Sequence, residues 1–205
     1  MKRMVLLGLV ALLFGACKPK DEAPPPLPPG VPPAAPPSAR PHPAPTKPDV
    51  DVTFTTPKQW TEQRPSTSMR KAQFLLPGKT READAILGVF HFPYTGGSVT
   101  ANLERWYGQF RQPDGVPSAS RAQTRKIKAG GLEVTIAYLT GTYLKPKSPM
   151  EMGGETAEVP REAMLAAVVE TPAGPWFFKA VGPQETIDLH RATFEDFMRS
   201  VRVTR

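Results

Sequence analysis

Proline is what most constrains this chain. It carries 26 prolines in 205 residues, about one in eight where globular proteins average about one in twenty. Each proline removes a backbone donor and interrupts helix and sheet ladders, so a compact fold cannot hold that many evenly spread. They are not evenly spread. Fourteen lie between Lys18 and Pro48, and the other 12 are scattered from Pro57 to Pro183. The chain therefore reads as three regions: an apolar start, a proline tract and a body of ordinary composition. The length excludes a large multidomain enzyme.

The start reads MKRMVLLGLVALLFGAC. Lys2 and Arg3 form a positive n-region, and Met4 to Ala16 is an uncharged run of 13 residues. A membrane-spanning helix needs about 20 apolar residues, so this run has the length of a signal-peptide core. It ends in Leu13-Phe14-Gly15-Ala16-Cys17, with small residues directly before the sole cysteine. That ending resembles the lipobox of bacterial lipoproteins, with Phe14 where Leu is usual. The resemblance implies that Cys17 receives a diacylglycerol, becomes the first mature residue after cleavage and is acylated on its new amino group. The other readings are an ordinary signal peptide cut after Ala16, or a buried apolar helix with an incidental cysteine. One cysteine in a secreted chain has no internal disulfide partner, which favours a different use of the thiol. Several acyl chains anchor stably where one does not. Lys18 stands where an Asp would signal inner-membrane retention in well-studied lipoproteins, so the expected address is the periplasmic face of the outer membrane.

Residues 17–49 form the expected tether: the lipidated Cys17 and then a stretch with almost no core formers beyond Leu27 and Val31. Such a stretch cannot bury enough apolar surface to offset its ordering entropy. Proline favours the extended polyproline II form, so 32 residues reach roughly 100 Å at about 3.1 Å each. The tract also fits PxxP ligand patterns, as any proline-rich spacer does. His42 within it needs no special role.

Residues 50–205 are read as a single globular domain. The net charge of +7 divides into +3 for the first 49 residues and +4 for the rest, where 20 Lys and Arg mix with 16 acids. A body this mildly basic gives no footprint for nucleic acid. Its densest basic run, Arg121 to Lys128, lacks interleaved aromatics and reads as a solvated strand or loop.

Strands are expected at Val52–Thr55, Ala72–Leu76 and Ala85–Phe92. A helix begins at Ser98 or Thr100, with Val99, Leu103, Trp106, Tyr107 and Phe110 on one face, and stops at Pro113-Asp114-Gly115. Gln123–Lys128 and Leu132–Leu144 read as a hairpin about Gly130-Gly131, with Gly141 marking a bulge. Residues 145–161 are expected to be a long polar loop. Met164–Val169 and Trp176–Val181 form another hairpin. Glu185–Val201 is a closing helix that buries Ile187, Phe194, Phe197, Met198 and Val201, with Arg199 and Arg202 at its C-terminal end. The expected fold is α+β: a mainly antiparallel sheet of about six to seven strands covered by two amphipathic helices.

This element order resembles the PsbP fold, which a small Ran-binding nuclear import factor shares. The likeness rests on the Phe-His-Phe strand end before a Gly-rich turn and helix, and on the closing Phe194, Phe197, Met198, Ser200, Val201 pattern. The Asn102-Leu103-Glu104-Arg105-Trp106 stretch also resembles a helix of certain envelope lipoproteins, a group that brings no activity with it. PsbP relatives mostly bind proteins, and the resemblance implies an α/β/α sandwich that does the same.

Catalytic, cofactor and metal residues are not expected. His91 and His190 lack metal-ligand spacing. No serine sits in a G-x-S-x-G elbow. Glu82 and Asp84, and Glu195 and Asp196, are close in sequence, but adjacent helical residues do not face each other. Trp60, Trp106, Tyr107, Tyr138, Tyr143 and Trp176 read as core packing or as the lining of a sheet–helix pocket. The candidate binding surface is Arg105, Trp106, Trp60 and Trp176. The function read from these features is a non-catalytic binding or assembly module. It would be held to membrane lipid through acylated Cys17 and would engage another envelope protein. The alternative is a small-ligand carrier or weak hydrolase using a sheet–helix crevice, which requires a closed apolar pocket.

Overall fold

The computed structural model describes residues 51–147 and 154–204. The 1–16 leader, Cys17 and the 17–49 tether lie outside the described residues. Ten strands and two helices follow in the order β1 (Asp51–Thr53), β2 (Thr61–Gln63), β3 (Arg70–Leu76), β4 (Ala85–His91), α1 (Val99–Tyr107), β5 (Phe110–Arg111), β6 (Gln123–Ala129), β7 (Leu132–Pro146), β8 (Thr156–Val169), β9 (Trp176–Pro183), α2 (Gln184–Arg199) and β10 (Arg202–Thr204). The fold is α+β. Eight strands form an antiparallel sheet in the order β2-β3-β4-β9-β8-β7, with β5 and β6 both pairing along β7. β1 and β10 make a separate two-stranded ribbon.

Alternation along each strand sorts the side chains between two faces. On β9, Trp176, Phe178 and Ala180 join one apolar cluster, while Phe177 belongs to the other and Val181 packs against it. On β4, Ala85, Leu87 and Val89 join the first cluster, and Phe90 packs against the second. α2 seals the first face with Ile187, Phe194, Phe197 and Met198, all at most 1% exposed. The Phe197 ring meets Phe54, Trp60, Phe74 and Phe178 edge-on at centroid distances of 5.0, 5.0, 5.9 and 5.8 Å. Burial of side chains of this size stabilises by about 1.5–3 kcal/mol each. Beyond α2, the Arg202 guanidinium donates to the carbonyls of Arg199 and Val201 at 2.8 and 2.7 Å, closing the helix end.

α1 lies on the second face with Leu103, Trp106 and Tyr107 buried. The Ser98 hydroxyl caps it by accepting from the Ala101 N–H at 3.2 Å. Asn102 ties the cap to the preceding turn through Nδ2, which donates to the carbonyls of Gly96 at 2.7 Å and Ser98 at 2.9 Å. The Gly130-Gly131 hairpin is as expected, with both φ angles positive at 57° and 82°, the form that matches strand twist in a two-residue turn. The register between β7 and β8 shifts between Gly141 and Tyr143, which places the bulge where Gly141 announces it.

Three expectations need correction. The first helix ends at Tyr107 with Gly108 as its cap, well before Pro113. Phe110 joins β5 and pairs with Tyr143, although it stays buried in the same cluster as Trp106. Residues 145–161 are not one long loop. Lys145 pairs with Ala157, Leu144 with Glu158 and Tyr143 with Val159, so β7 and β8 run on as a two-stranded arm. Its side chains are mostly exposed because the arm extends past β9, and backbone pairing holds it together with the Arg111–Glu158 and Lys147–Glu155 ion pairs. Pro160 fits inside β8 because it sits in the bulge, next to Arg161 at φ 59°. A proline is tolerated in a strand where a ladder bond is already missing. The third correction is the strands β2, β5 and β10, two or three residues each, which are too short to leave a pattern.

Candidate functional site

The two helices differ in length, and that difference makes a site. α2 has 16 residues and α1 has 9, about 24 Å against about 13 Å at 1.5 Å per residue. α1 therefore covers only part of its face. Beyond it an open groove of about 660 Å³ runs over β4, β9 and the near ends of β7 and β8. Ile86 and Phe90 from β4 and Val181 from β9 form an apolar floor, with Lys179 between them. Arg70, Tyr143, Lys145 and Glu162 stand at its rim.

Lys179 is flanked in the sheet by Gly88 on β4 and Ala166 on β8, and the Phe90 ring and the Arg70 side chain fill the space over Gly88. The Gly88 position has no room for more: a Cβ there would lie 2.9 Å from the Phe90 ring and 3.3 Å from Arg70 Nε. The Lys179 ammonium donates to Gln109 Oε1 and lies 5.5 Å from the centroid of the Trp106 ring, within cation–π range. Burial pushes its pKa down to about 7, and the nearby Arg105 charge adds to the effect. A buried ammonium without a carboxylate loses hydration that nothing replaces. Arg70 is also held by a carboxamide and a ring. Its guanidinium donates to Gln73 Oε1 and lies 5.7 Å from the centroid of the Phe90 ring. Burial raises the Glu162 carboxyl above its usual range, opposed by Lys145. Burial also raises the Tyr143 phenol, with the Glu162 charge adding to it.

The structure does not bring the four sequence-derived site residues together. Trp60 is buried under α2, where its indole N–H donates to His190 Nδ1 at 3.0 Å. Trp176 lies in the same cluster, stacked on His91 at 4.4 Å. Trp106 is buried on the opposite face, edge-on to Phe177 at 5.9 Å. Arg105 alone is exposed, donating to Asn102 Oδ1 at 2.7 Å. Trp106 and Arg105 thus belong to the setting of Lys179, while Trp60 and Trp176 are core. The other aromatics divide as well: Tyr107 meets Thr124 Oγ1 at 2.9 Å, Tyr138 donates to Asp188 Oδ1 at 2.6 Å and Tyr143 faces the groove. His190 is structural, bound through Nε2 to the Pro77 carbonyl at 3.0 Å.

Lys179 is the residue that sequence reasoning missed. Its signal was present: one cation inside Trp176-Phe177-Phe178-Lys179-Ala180-Val181, at a position that alternation assigns to the Phe177 and Val181 face. Among the described residues, no group of three or more His, Cys, Asp or Glu is placed to hold a metal ion. Gln109, the partner of Lys179, is a carboxamide and cannot relay a proton. The arrangement is suited to holding a ligand.

No family model matches the chain, and no curated protein matches it. Similar solved structures include PA94, a Pseudomonas aeruginosa protein of unknown function, at 10% identity and TM-score 0.43, over 69% of this chain and 95% of that one. Cyanobacterial PsbP (CyanoP) from Synechocystis sp. PCC 6803 is similar at 12% identity and TM-score 0.43, over 76% and 92%. LpqN, involved in cell envelope biogenesis of Mycobacterium tuberculosis, is similar at 12% identity and TM-score 0.44, over 76% and 84%. Likeness at this level assigns no role to any residue. Among the described residues, no helix is long and apolar enough to cross a membrane.

Proposed function

We propose that this chain is a lipid-anchored, non-catalytic binding module of the cell envelope that holds a protein partner in the groove over β4 and β9. The observation that carries the proposal is the open groove with its apolar floor of Ile86, Phe90 and Val181, on the sheet face that α1 leaves bare. A sheet face built to be covered, and left partly uncovered by its own chain, is a docking surface. The anchor reading rests on the Lys2-Arg3 start, the 13-residue apolar run and Gly15-Ala16-Cys17. The proline tract then supplies reach between membrane and module. Lys18 after Cys17 favours the outer membrane. The carrier or hydrolase alternative calls for a closed apolar pocket, and the groove is open along its length.

The test is a photoreactive residue at Val181, with one at the exposed Lys58 on the other side of the sheet as control, in intact cells with mass spectrometry. A single protein captured at stoichiometric level from position 181, and not from 58, is the expected result. Equal capture from both positions, or a small molecule in place of a protein, would remove the proposal. Separately, Cys17→Ser should move the protein into the soluble fraction; retention in the membrane would end the anchor reading.

A further inference from the structure

We infer that the groove recognises its partner through a carboxylate, an Asp or Glu side chain flanked by apolar residues, seated on Lys179. This rests on the groove reading above and adds the chemistry of the occupant.

Among the described residues there are seven ion pairs, and none involves Arg70, Arg105, Lys145 or Lys179. Arg70 and Lys179 are instead answered by carboxamides, Gln73 and Gln109, and by the faces of Phe90 and Trp106. A carboxamide oxygen orients a cation without neutralising it. The ammonium has three donors and uses one on Gln109. Lys179 lines the open groove with Phe90 and Val181, and an incoming group reaches it from there. Arg105 adds positive potential from the α1 side.

The acids lining the groove do not answer this charge. Asp84 accepts from the Gly78 N–H at 2.8 Å. Glu82 is hydrogen-bonded to Thr80 and its own backbone. Glu162 lies near Lys145, whose charge opposes the effect of burial on its carboxyl. A ligand carboxylate would therefore meet, above an apolar floor, two cations, Lys179 and Arg70, that no ion pair among the described residues answers. Small-molecule sites enclose most of their ligand. This groove is open, which suits a peptide segment with apolar residues on either side of its acid.

The test is a displayed heptapeptide library selected on the full-length protein, followed by titration of the best binder and of its Asn or Gln counterpart. Selection should enrich Asp or Glu next to apolar residues, and the amide counterpart should bind about tenfold or more weakly, as expected for a lost charge-assisted bond. Lys179→Met should bind acid and amide equally, while Lys179→Arg should keep the preference. Enrichment without acids, or an acid preference that survives Lys179→Met, overturns the inference. Dodecanoate that binds alone and displaces the peptides overturns it in favour of a lipid carrier. Val181→Trp, which fills the groove floor without adding charge, separates the two readings. If acidic peptides still bind this variant, the groove assignment has failed. If they do not, yet Lys179→Met still prefers acid, only the carboxylate inference has failed.

Discussion

The two faces of the sheet are made by the same strands and end up as different materials. Under α2 the rings of Phe54, Trp60, Phe74, Phe178 and Phe197 contact one another edge-on, and His190 is satisfied among them by Trp60 and Pro77. Under α1 the packing stops short, and Lys179 and Arg70 rest on carboxamides and rings. One face is built for stability and the other keeps charge at an unfinished surface. The lesson is that a helix seven residues shorter is enough to leave part of one side of a sandwich as an open groove.

The largest test of this contrast is Phe197→Ala. It should destabilise by about 3–5 kcal/mol in urea unfolding, as truncation of a fully buried ring does, whereas Val181→Ala in the groove should cost under about 1.5 kcal/mol. Similar costs would show that the faces are not energetically distinct. Next, Trp60→Phe should cost about 1–3 kcal/mol, because the ring is kept but His190 Nδ1 loses its buried donor; thermal melts read this directly.

Lys179→Met should be neutral or stabilising by about 1 kcal/mol near neutral pH, since an uncompensated charge becomes an apolar side chain. Its pH signature is sharper. The folded pKa of about 7 lies below the unfolded lysine value of about 10.4. Between these two values the unfolded chain binds the extra proton, so Lys179 makes stability rise with pH across that window and level off above it. Arg105, Arg70, Lys145, Glu162 and Tyr143 surround the groove in both proteins, so the difference between wild type and Lys179→Met isolates the one group. No difference in slope would mean that Lys179 is solvated in the folded state. The smallest effect belongs to neither face. Lys79→Ala breaks the exposed Lys79–Glu185 pair and should change stability by under about 0.5 kcal/mol in low salt.

Much of this was legible in the chain. The apolar spacing of α2 named every large apolar side chain it buries, though not His190, and Val99, Leu103, Trp106 and Tyr107 marked the inward face of α1. Phe110 shows where such reading stops. Helical spacing and β5 pairing demand the same burial of it, and only its partner Tyr143 on β7 decides between them. The β7–β8 arm was misread because its side chains carry no alternation, and its order comes from backbone pairing between residues far apart in sequence. The aromatics were seen as a group, yet whether two tryptophans share a pocket depends on which face each strand presents.

The sequence by itself determined that the prolines are segregated, and which side chains share a face on the two helices and the longer core strands. Those are local properties, set by φ restriction and by periods of 2 and 3.6 residues. Only the tertiary structure decided which of the two faces would be sealed, and so that Lys179 would sit beside Gly88 and Ala166 at the floor of an open groove. That outcome depends on strand register and on helix length measured against sheet width, which are relations between distant segments that no single stretch of chain contains.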